Sequence, residues 1–360
     1  MTGLPPLPSH AAQLACLADG ARPIAARMRA IFYLRSGPAE TRASAVSALC
    51  AALLERRGAG ASVLFRHECA YVLGQMRDAA ALPALLTVLR DASDDAIVRH
   101  EAGEALGAVA AAEALPALDA HAADPVREVA ETCQVAAARV RWVLAGGEGG
   151  RGGENPFDSV DPAPAEPRPS DADVPRHAAA LLDAALPLFE RYKAMFCLRN
   201  NRSVAAVRVR LRAAAAVAAQ LAASEAARLP ILHLCPLTHP PTHATAQALC
   251  AGLTDASPLF RHEVAYVLGQ LAHPASAKAL MHSVADVAEH EMVRHEAAES
   301  LGAIGTPDCV AFLEAHAASD TPMLRESCVV ALDCTDYWSE AGKEGLGSGG
   351  EGAPAAVPAQ

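Results

Sequence analysis

A long block of this chain occurs twice, and this duplication restricts the fold more than any other feature. Residues 65–75 match residues 260–270, and residues 98–107 match residues 293–302, so both matches have the same offset of 195 in residue number. Within each copy, a shorter repeat of about 33 residues is also visible. A repeat of that length with helical periodicity is typical of stacked helix pairs, in which each unit buries its apolar face against its neighbour. We therefore predict an all-α protein, an α-solenoid built as two duplicated halves that face each other.

Local signals and composition agree with helices. Alanine dominates the chain, and alanine favours helix formation and close approach between helices. Ser257-Pro258 is a typical helix start, because serine caps the helix and proline occupies its first position. Ser62, and one of the residues 93–95, are expected to cap two further helices. His290-Glu291 has no counterpart in the first copy, and we assign it to a loop.

The chain divides into four segments on this reading. Residues 1–145 form the N-terminal half, and residues 146–175, rich in glycine and then proline, are predicted to be a flexible linker. Residues 176–340 form the C-terminal half, and residues 341–360 are predicted to be a disordered tail. Near their starts the two copies match at an offset of 164, whereas further on they match at an offset of 195. The second copy therefore carries an additional stretch within about 201–246. We interpret it as a surface insertion, or as a translated stretch outside the folded core.

The duplicated block carries eight candidate metal ligands. Each copy contains two His-Glu pairs at the spacing of the shorter repeat: His67-Glu68 and His100-Glu101 in the first copy, then His262-Glu263 and His295-Glu296 in the second. Imidazole and carboxylate together suit non-haem iron or manganese rather than a cysteine-bound zinc. The two-fold register of all four pairs predicts a metal centre, although a single His-Glu pair could equally be a solvated or capping pair.

Small residues follow every one of these histidines. Alanine or glycine stands three positions on, and glycine stands seven positions on, at Gly74, Gly107, Gly269 and Gly302. Glycine within a helix costs up to about 1 kcal/mol relative to alanine, so the register needs a reason. A cavity beneath a ring of imidazoles is one reason, and close packing of neighbouring helices is the other.

Other polar residues near the pairs have weaker interpretations. Glu104 and Glu299 could support the ligands or face solvent, and Tyr71 and Tyr266 could hydrogen-bond in the site or pack at the core edge. The arginine before each histidine is predicted to form structural salt bridges; these are Arg66, Arg99, Arg261 and Arg294.

Charge and cysteine usage exclude several classes of protein. A formal charge of −11 argues against a nucleic-acid surface. The ten cysteines contain no Cys-x-x-Cys pair, and a chain of this size without a secretory signal does not suggest a disulfide framework. No apolar run reaches the roughly 18 residues that span a bilayer. We therefore expect a soluble, cytoplasmic protein without membrane or nucleic-acid partners.

With two halves and four His-Glu pairs, the chain resembles deoxyhypusine hydroxylase, a family of HEAT-type helical repeats. The resemblance covers roughly residues 20–145 and 175–335, and includes Asn155-Pro156-Phe157 and residues 159–162 in the linker. It implies a di-iron monooxygenase that uses O2 and an external reductant to hydroxylate the deoxyhypusine side chain of eukaryotic translation initiation factor five-A. The insertion after Asn201 departs from the family pattern.

The resemblance also implies a role for each site residue. One Fe²⁺ would be held by His67, His295 and Glu296, and the other by His262, His100 and Glu101. Glu68 and Glu263 would then be free to orient the cationic substrate. Two alternatives stay open: a non-catalytic HEAT-repeat scaffold that binds proteins, and a hydrolase with two zinc or manganese ions on the same ligands.

Overall fold

The computed structural model describes residues 9–56, 62–147, 155–157, 159–166, 171–201 and 243–345. Throughout these residues the regular structure is helical, and no β-strand occurs among them. The prediction of an all-α fold is therefore confirmed. None of the described helices is both long enough and apolar enough to cross a membrane.

The first half contains four consecutive helix pairs. Its helices are α1 (His10–Ala18), α2 (Ile24–Arg35), α3 (Arg42–Leu54), α4 (Val63–Met76), α5 (Leu82–Arg90), α6 (Ala96–Val109), α7 (Leu115–His121) and α8 (Arg127–Leu144). The second half repeats this order with α9 (Val174–Leu182), α10 (Leu188–Asn200), α11 (His243–Ala251), α12 (Pro258–Leu271), α13 (Ala277–Ala285), α14 (Glu291–Ile304), α15 (Pro307–His316) and α16 (Pro322–Gly345).

The helix boundaries reproduce both offsets of the sequence. Under the longer offset, the starts of α12, α13 and α14 are equivalent to those of α4, α5 and α6, whereas α9 and α10 match α1 and α2 under the shorter one. The additional residues of the second copy thus lie between α10 and α11. The predicted insertion at 201–246 extends too far, because α11 begins at His243 and Ala246 is fully buried. Residues 202–242 lie outside the described residues.

The predicted tail also begins too early. Helix α16 continues to Gly345, inside the segment that we expected to be disordered, and residues 346–360 lie outside the described part of the chain.

Side-chain caps begin the four helices that carry the His-Glu pairs. The hydroxyls of Ser62 and Ser257 accept from the backbone N–H three residues on, and the carboxylate of Asp95 caps α6. At α14 the cap is His290, whose ring accepts from the Met292 N–H. Our assignment of His290-Glu291 to a loop is therefore wrong: His290 starts the helix, and Glu291 is its first residue. The imidazole nitrogen of His290 accepts a backbone N–H at the start of α14, as the carboxylate of Asp95 does at the start of α6.

The repeated glycine register serves helix packing. A Cβ added to Gly74 would stand 2.8 Å from the Cα of Ala105, and one added to Gly107 would stand 2.7 Å from the Cβ of Ala136. At Gly302, the same test places the Cβ of Ala331 at 2.7 Å. The hypothesis of a glycine-lined cavity is wrong for these three positions, because neighbouring inner helices fill the space directly.

The two halves close on each other into a ring. Helix α8 packs against α10 and α12 at one junction, and α16 packs against α2 and α4 at the other. Matching hydrogen bonds join the halves: Ser257 Oγ to Glu131 Oε2 at 2.5 Å, and Ser62 Oγ to Glu326 Oε2 at 2.5 Å. The duplication relates the two partners of the second bond to the two partners of the first. The halves therefore face each other about a pseudo-two-fold axis, as predicted.

Part of the linker packs tightly between the halves. We call residues 159–166 the strap. Its Asp161 forms an ion pair with the fully buried Arg199 and accepts from Arg139 through its backbone carbonyl at 2.8 Å. The Val160 N–H donates to Gln75 Oε1 at 2.7 Å. The expectation of a flexible linker is therefore wrong for the strap, whereas the glycine-rich residues 148–154 lie outside the described residues.

Candidate metal centre

The fold brings all four His-Glu pairs to the inside of the ring. Each histidine is the fifth residue of its helix: His67 on α4, His100 on α6, His262 on α12 and His295 on α14. Because the four helices start at equivalent points in equivalent repeats, their second turns meet at the pseudo-two-fold axis. The helix caps therefore determine where along each helix the histidine stands, and so its position at the centre of the ring.

The four imidazoles form one buried cluster with contributions from both halves. The ring centroids of His67 and His295 are 5.0 Å apart, and those of His100 and His262 are 5.4 Å apart. Within each half the separations are 5.5 Å for His67 and His100, and 5.3 Å for His262 and His295. None of these four histidine residues is more than 5 % exposed. The sequence-predicted histidines thus lie together, at distances that permit shared metal ions.

The carboxylates contact the imidazoles of their own half. Glu101 Oε2 lies 3.1 Å from His67 Nε2, and Glu296 Oε2 lies 3.5 Å from His262 Nε2. Glu68 Oε1 contacts the Nδ1 atom of His67 at 3.2 Å. Three groups of potential ligand atoms lie within 4.8 Å of one another: His67, His100 and His262; His262, His295 and Glu296; and His100, Glu101 and Glu104. Glu104 is therefore closer to the ligands than its sequence position indicated.

Most of the imidazole nitrogens lack a hydrogen-bond partner. Both ring nitrogens of His100, His262 and His295 are buried without one, as is Nε2 of His67, whose approach to Glu101 lacks hydrogen-bond geometry. A buried polar atom without a partner costs about 1–3 kcal/mol, and a cation bound by one nitrogen of each ring would remove part of this cost. The donor set, neutral imidazoles with carboxylates, fits a pair of divalent transition-metal ions.

The electrostatics of the cluster favour neutral imidazoles. Burial, and then the neighbouring histidines, lower the pKa of His100 well below its ordinary value, and burial likewise lowers the pKa of His262 and His295. Burial also opposes protonation of His67, but Glu101 and Glu68 outweigh it and raise its pKa. Three imidazoles are therefore already in the form that binds metals, and His67 reaches that form when a cation replaces its proton.

The two carboxylates that were not assigned as ligands are buried as well. Burial raises the pKa of Glu68 to about 7 and that of Glu263 to about 8. A cation brought next to either group would favour its ionised form. Both carboxylates line the central cavity, so a positively charged ligand in that cavity would lie beside them.

The central cavity has two tyrosines and the strap as its wall. The hydroxyl oxygens of Tyr71 and Tyr266 lie 3.0 Å apart, and residues 160–162 of the strap line the cavity beside them. The free volume is about 20 Å³, which is room for about one water-sized group. Tyr71 and Tyr266 therefore belong to the site rather than only to the core edge.

Sequence analysis missed the residues that hold this wall. Gln75, Gln270 and Arg199 anchor the strap and the tyrosines, although none was singled out from the sequence. A signal was present, because the two glutamines occupy equivalent positions of the duplicated block, and 159–162 is a distinctive string within an otherwise proline-rich linker.

The arginines beside the histidines have structural roles. Arg66 pairs with Asp94 at 2.6 Å, Arg99 pairs with Asp124 at 2.6 Å, and Arg261 pairs with Glu289 at 2.5 Å. Arg294 donates to the backbone carbonyl of Val284 at 3.0 Å. The predicted salt bridges are confirmed for the first three arginines. These pairs link consecutive repeats and point away from the metal ligands.

Comparison with known proteins gives one consistent family. The sequence matches the HEAT-repeat family at residues 46–138 and 246–333. It is 44 % identical to the deoxyhypusine hydroxylase of Homo sapiens over 324 residues, 89 % of each chain. Against the enzyme of Drosophila melanogaster, it is 41 % identical over 316 residues, 88 % of each chain. The structure of human deoxyhypusine hydroxylase in complex with glycerol superposes with a TM-score of 0.73 at 42 % identity, covering 91 % of this chain and 96 % of that one.

Proposed function

The chain belongs to the deoxyhypusine hydroxylase family and is an enzyme of hypusine formation, and we propose that it works as a di-iron, O2-dependent monooxygenase. Its proposed substrate is the deoxyhypusine side chain of eukaryotic translation initiation factor five-A. The observation that carries the iron proposal is that the four His-Glu pairs come together in one buried cluster. Seven imidazole nitrogens of this cluster are buried without a hydrogen-bond partner. Bound cations would compensate part of the cost of burying these donors.

The proposed ligand assignment places each iron between the two halves. His67, His295 and Glu296 would hold one ion, and His262, His100 and Glu101 would hold the other. The ring separations across the halves, 5.0 Å for His67 and His295 and 5.4 Å for His100 and His262, are compatible with this pairing. In this structure the carboxylates contact histidines of their own half, so this ligand set requires Glu101 to move away from His67 and Glu296 to move away from His262.

The bound irons would supply the redox chemistry that activates O2. In the balanced reaction, one oxygen atom replaces the hydrogen of a C–H bond as a hydroxyl group. The other oxygen leaves as water, and an external reductant provides two electrons with two protons. The protein's own part is to bind the arm, orient one carbon atom and exclude water from the buried centre.

Glu68 and Glu263 are proposed to orient the substrate. The deoxyhypusine arm is a polyamine, and its ammonium groups would favour the ionised form of both buried carboxylates. Such desolvated pairs contribute position more than net affinity. Because the present cavity has room for about one water-sized group, the arm can enter only if lining side chains or the strap move outward.

Metal analysis of matched variants tests the proposal. Wild-type protein reconstituted without oxygen should contain two irons per chain, and His67→Ala or Glu296→Ala should lose one of them. Glu68→Ala should keep both irons and lose turnover. Glu314→Ala, an exposed position on α15, is the control and should match wild type in both measurements. Full activity of Glu296→Ala would contradict the assignment.

The two alternative functions make different predictions. The family's enzymatic activity leaves no support for a purely non-catalytic scaffold. A zinc or manganese hydrolase would act without O2, so turnover that persists in strict anaerobiosis would favour it. The cytoplasmic location, the absence of a nucleic-acid partner and the need for an external reductant remain predictions.

A further inference from the structure

Two equivalent glutamines of the duplicated block have different partners, and this breaks the two-fold symmetry of the centre. In the first half, Gln75 Oε1 accepts from the Val160 N–H of the strap at 2.7 Å. In the second half, Gln270 Oε1 accepts from Arg199 Nη1 at 2.7 Å. The strap passes through the ring once, so the two equivalent glutamines cannot both make the same hydrogen bond to it.

Arg199 fixes the orientation of the Gln270 amide. A guanidinium group can only donate hydrogen bonds, so the amide group must direct its oxygen towards Arg199. Arg199 is itself held, because it is fully buried and donates to Asp161 of the strap at 2.8 Å. The amide nitrogen of Gln270 consequently faces the hydroxyl of Tyr266 and donates to it at 2.8 Å.

This orientation of the Gln270 amide decides which of the two tyrosine hydroxyls donates in the hydrogen bond between them. Since the Tyr266 oxygen accepts from Gln270, its own proton is available for the Tyr71 oxygen, 3.0 Å away. Tyr71 then accepts that bond and keeps its own proton for a third partner. Among the residues that the structure describes, the hydrogen bond of the Tyr71 hydroxyl is the one to Tyr266. The chain of donors that begins at Arg199 therefore ends at a hydroxyl donor in the cavity wall.

On the basis of the proposed function, we propose that Tyr71 donates a hydrogen bond to the hydroxyl oxygen of the hypusine product, and that Gln270 and Arg199 are positioning residues acting through Tyr266. The substrate arm carries ammonium groups, which donate and do not accept hydrogen bonds. The product differs by one hydroxyl group, whose oxygen accepts. Tyr71 lines the central cavity that the arm would enter.

The test compares binding of product and substrate by the same variant. Dissociation constants are measured by calorimetry for the factor carrying hypusine and for the factor carrying deoxyhypusine, with metal-free and with iron-loaded protein under anaerobic conditions. One neutral hydrogen bond contributes about 1 kcal/mol, which corresponds to about a five-fold change in affinity. Tyr71→Phe should weaken hypusine binding by about that factor and leave deoxyhypusine binding unchanged within about two-fold.

The duplication provides the matched control. Gln270→Leu should reduce the preference for hypusine in the same direction as Tyr71→Phe, because Tyr266 loses the donor that directs its proton. Gln75→Leu, the equivalent change in the other half, removes a bond to the strap but none to a tyrosine, so it should affect both ligands alike and leave the ratio of the two dissociation constants at its wild-type value. An unchanged ratio of the two dissociation constants in Tyr71→Phe would refute the inference. If both constants rise by the same factor, the role of Tyr71 is purely structural.

Failure of this inference is distinguishable from failure of the proposed function. If wild-type protein binds two irons and hydroxylates the factor while Tyr71→Phe leaves the ratio unchanged, only the role of Tyr71 is refuted. If wild-type protein neither binds iron nor requires O2, the proposed function itself fails.

Discussion

Replacement of Gly302 by alanine should destabilise the protein, although alanine is the better helix former. Gly302 lies in α14 where this helix meets α16, two turns after His295. A Cβ at this position would lie 2.7 Å from the Cβ of Ala331, 2.8 Å from its carbonyl oxygen and 2.9 Å from its Cα. Two of these three atoms belong to the backbone, so no side-chain rotation relieves the contact, and the two helices must separate.

The size of the effect follows from two opposing contributions. Overpacking of a well-packed interior costs about 1–3 kcal/mol, and the three close contacts of the added Cβ indicate the upper part of that range. The higher helix propensity of alanine returns about 1 kcal/mol. The expected net loss in the free energy of unfolding is therefore about 2 kcal/mol.

Gly103 provides the matched comparison within the same architecture. Its added Cβ would meet the methyl group of Thr132 at 3.3 Å and the Cys133 sulfur at 3.5 Å, so small side-chain adjustments suffice. Gly103→Ala should change the free energy of unfolding by between zero and about 1 kcal/mol in the stabilising direction. Urea denaturation of the metal-free proteins, followed by circular dichroism, measures both variants. A Gly302→Ala protein as stable as wild type would refute the packing explanation for the glycine register.

Four further predictions concern the junction, the buried ion pair and the metal centre. Ser257→Ala should cost more stability than Ser9→Ala in thermal denaturation, because both lose a helix cap worth about 0.5–2 kcal/mol but only Ser257 also loses its bond to Glu131 across the halves. Asp94→Ala should destabilise by about 3–5 kcal/mol, since Arg66 would remain buried without its partner. Burial opposes the charge of Asp94, but Arg66 outweighs this effect and lowers the pKa of Asp94 in the folded protein. Wild type should therefore be more stable than Asp94→Asn above the unfolded pKa of about 3.9, and this advantage should disappear as the pH falls through the folded pKa. Equal urea midpoints of the two proteins at pH 7 would contradict this prediction. Anaerobic Fe²⁺ at about 100 times its dissociation constant should stabilise the protein by about 2.7 kcal/mol, and a chelator should reverse the shift in melting temperature.

The sequence predicted the parts of the structure that depend on repetition. The common offset between His67 and His262, and between His100 and His295, identified equivalent positions in equivalent helices. Equivalent positions lie at equal distances from the axis that relates two facing halves, so the duplication made a shared centre a natural prediction, and the structure shows that the histidines lie on the inward side. The helix starts at Ser62 and Ser257 were equally accessible, because capping depends on residues within one turn.

The missed features depend on contacts between distant segments. The composition of the linker predicts an extended chain, but Asp161 is held by Arg199 and Val160 is held by Gln75, 85 residues away along the chain. The purpose of the glycine register could not be decided from one helix, because it depends on which alanine of the neighbouring helix lies opposite. His290 was misassigned because histidine is an unusual helix cap, and its contact with Glu128 across the halves is visible only in three dimensions.

The reciprocal Ser–Glu bonds at the two junctions have the form of an isologous interface, in which one patch meets its own copy. The single chain therefore has the architecture of a homodimer whose two subunits have been fused. Fusion replaces an encounter between separate molecules by an intramolecular one, with an effective concentration of about a millimolar or more for short connections. The halves consequently stay together at any dilution. Each half is also free to change by itself, as it has done where one copy alone carries the additional residues between α10 and α11.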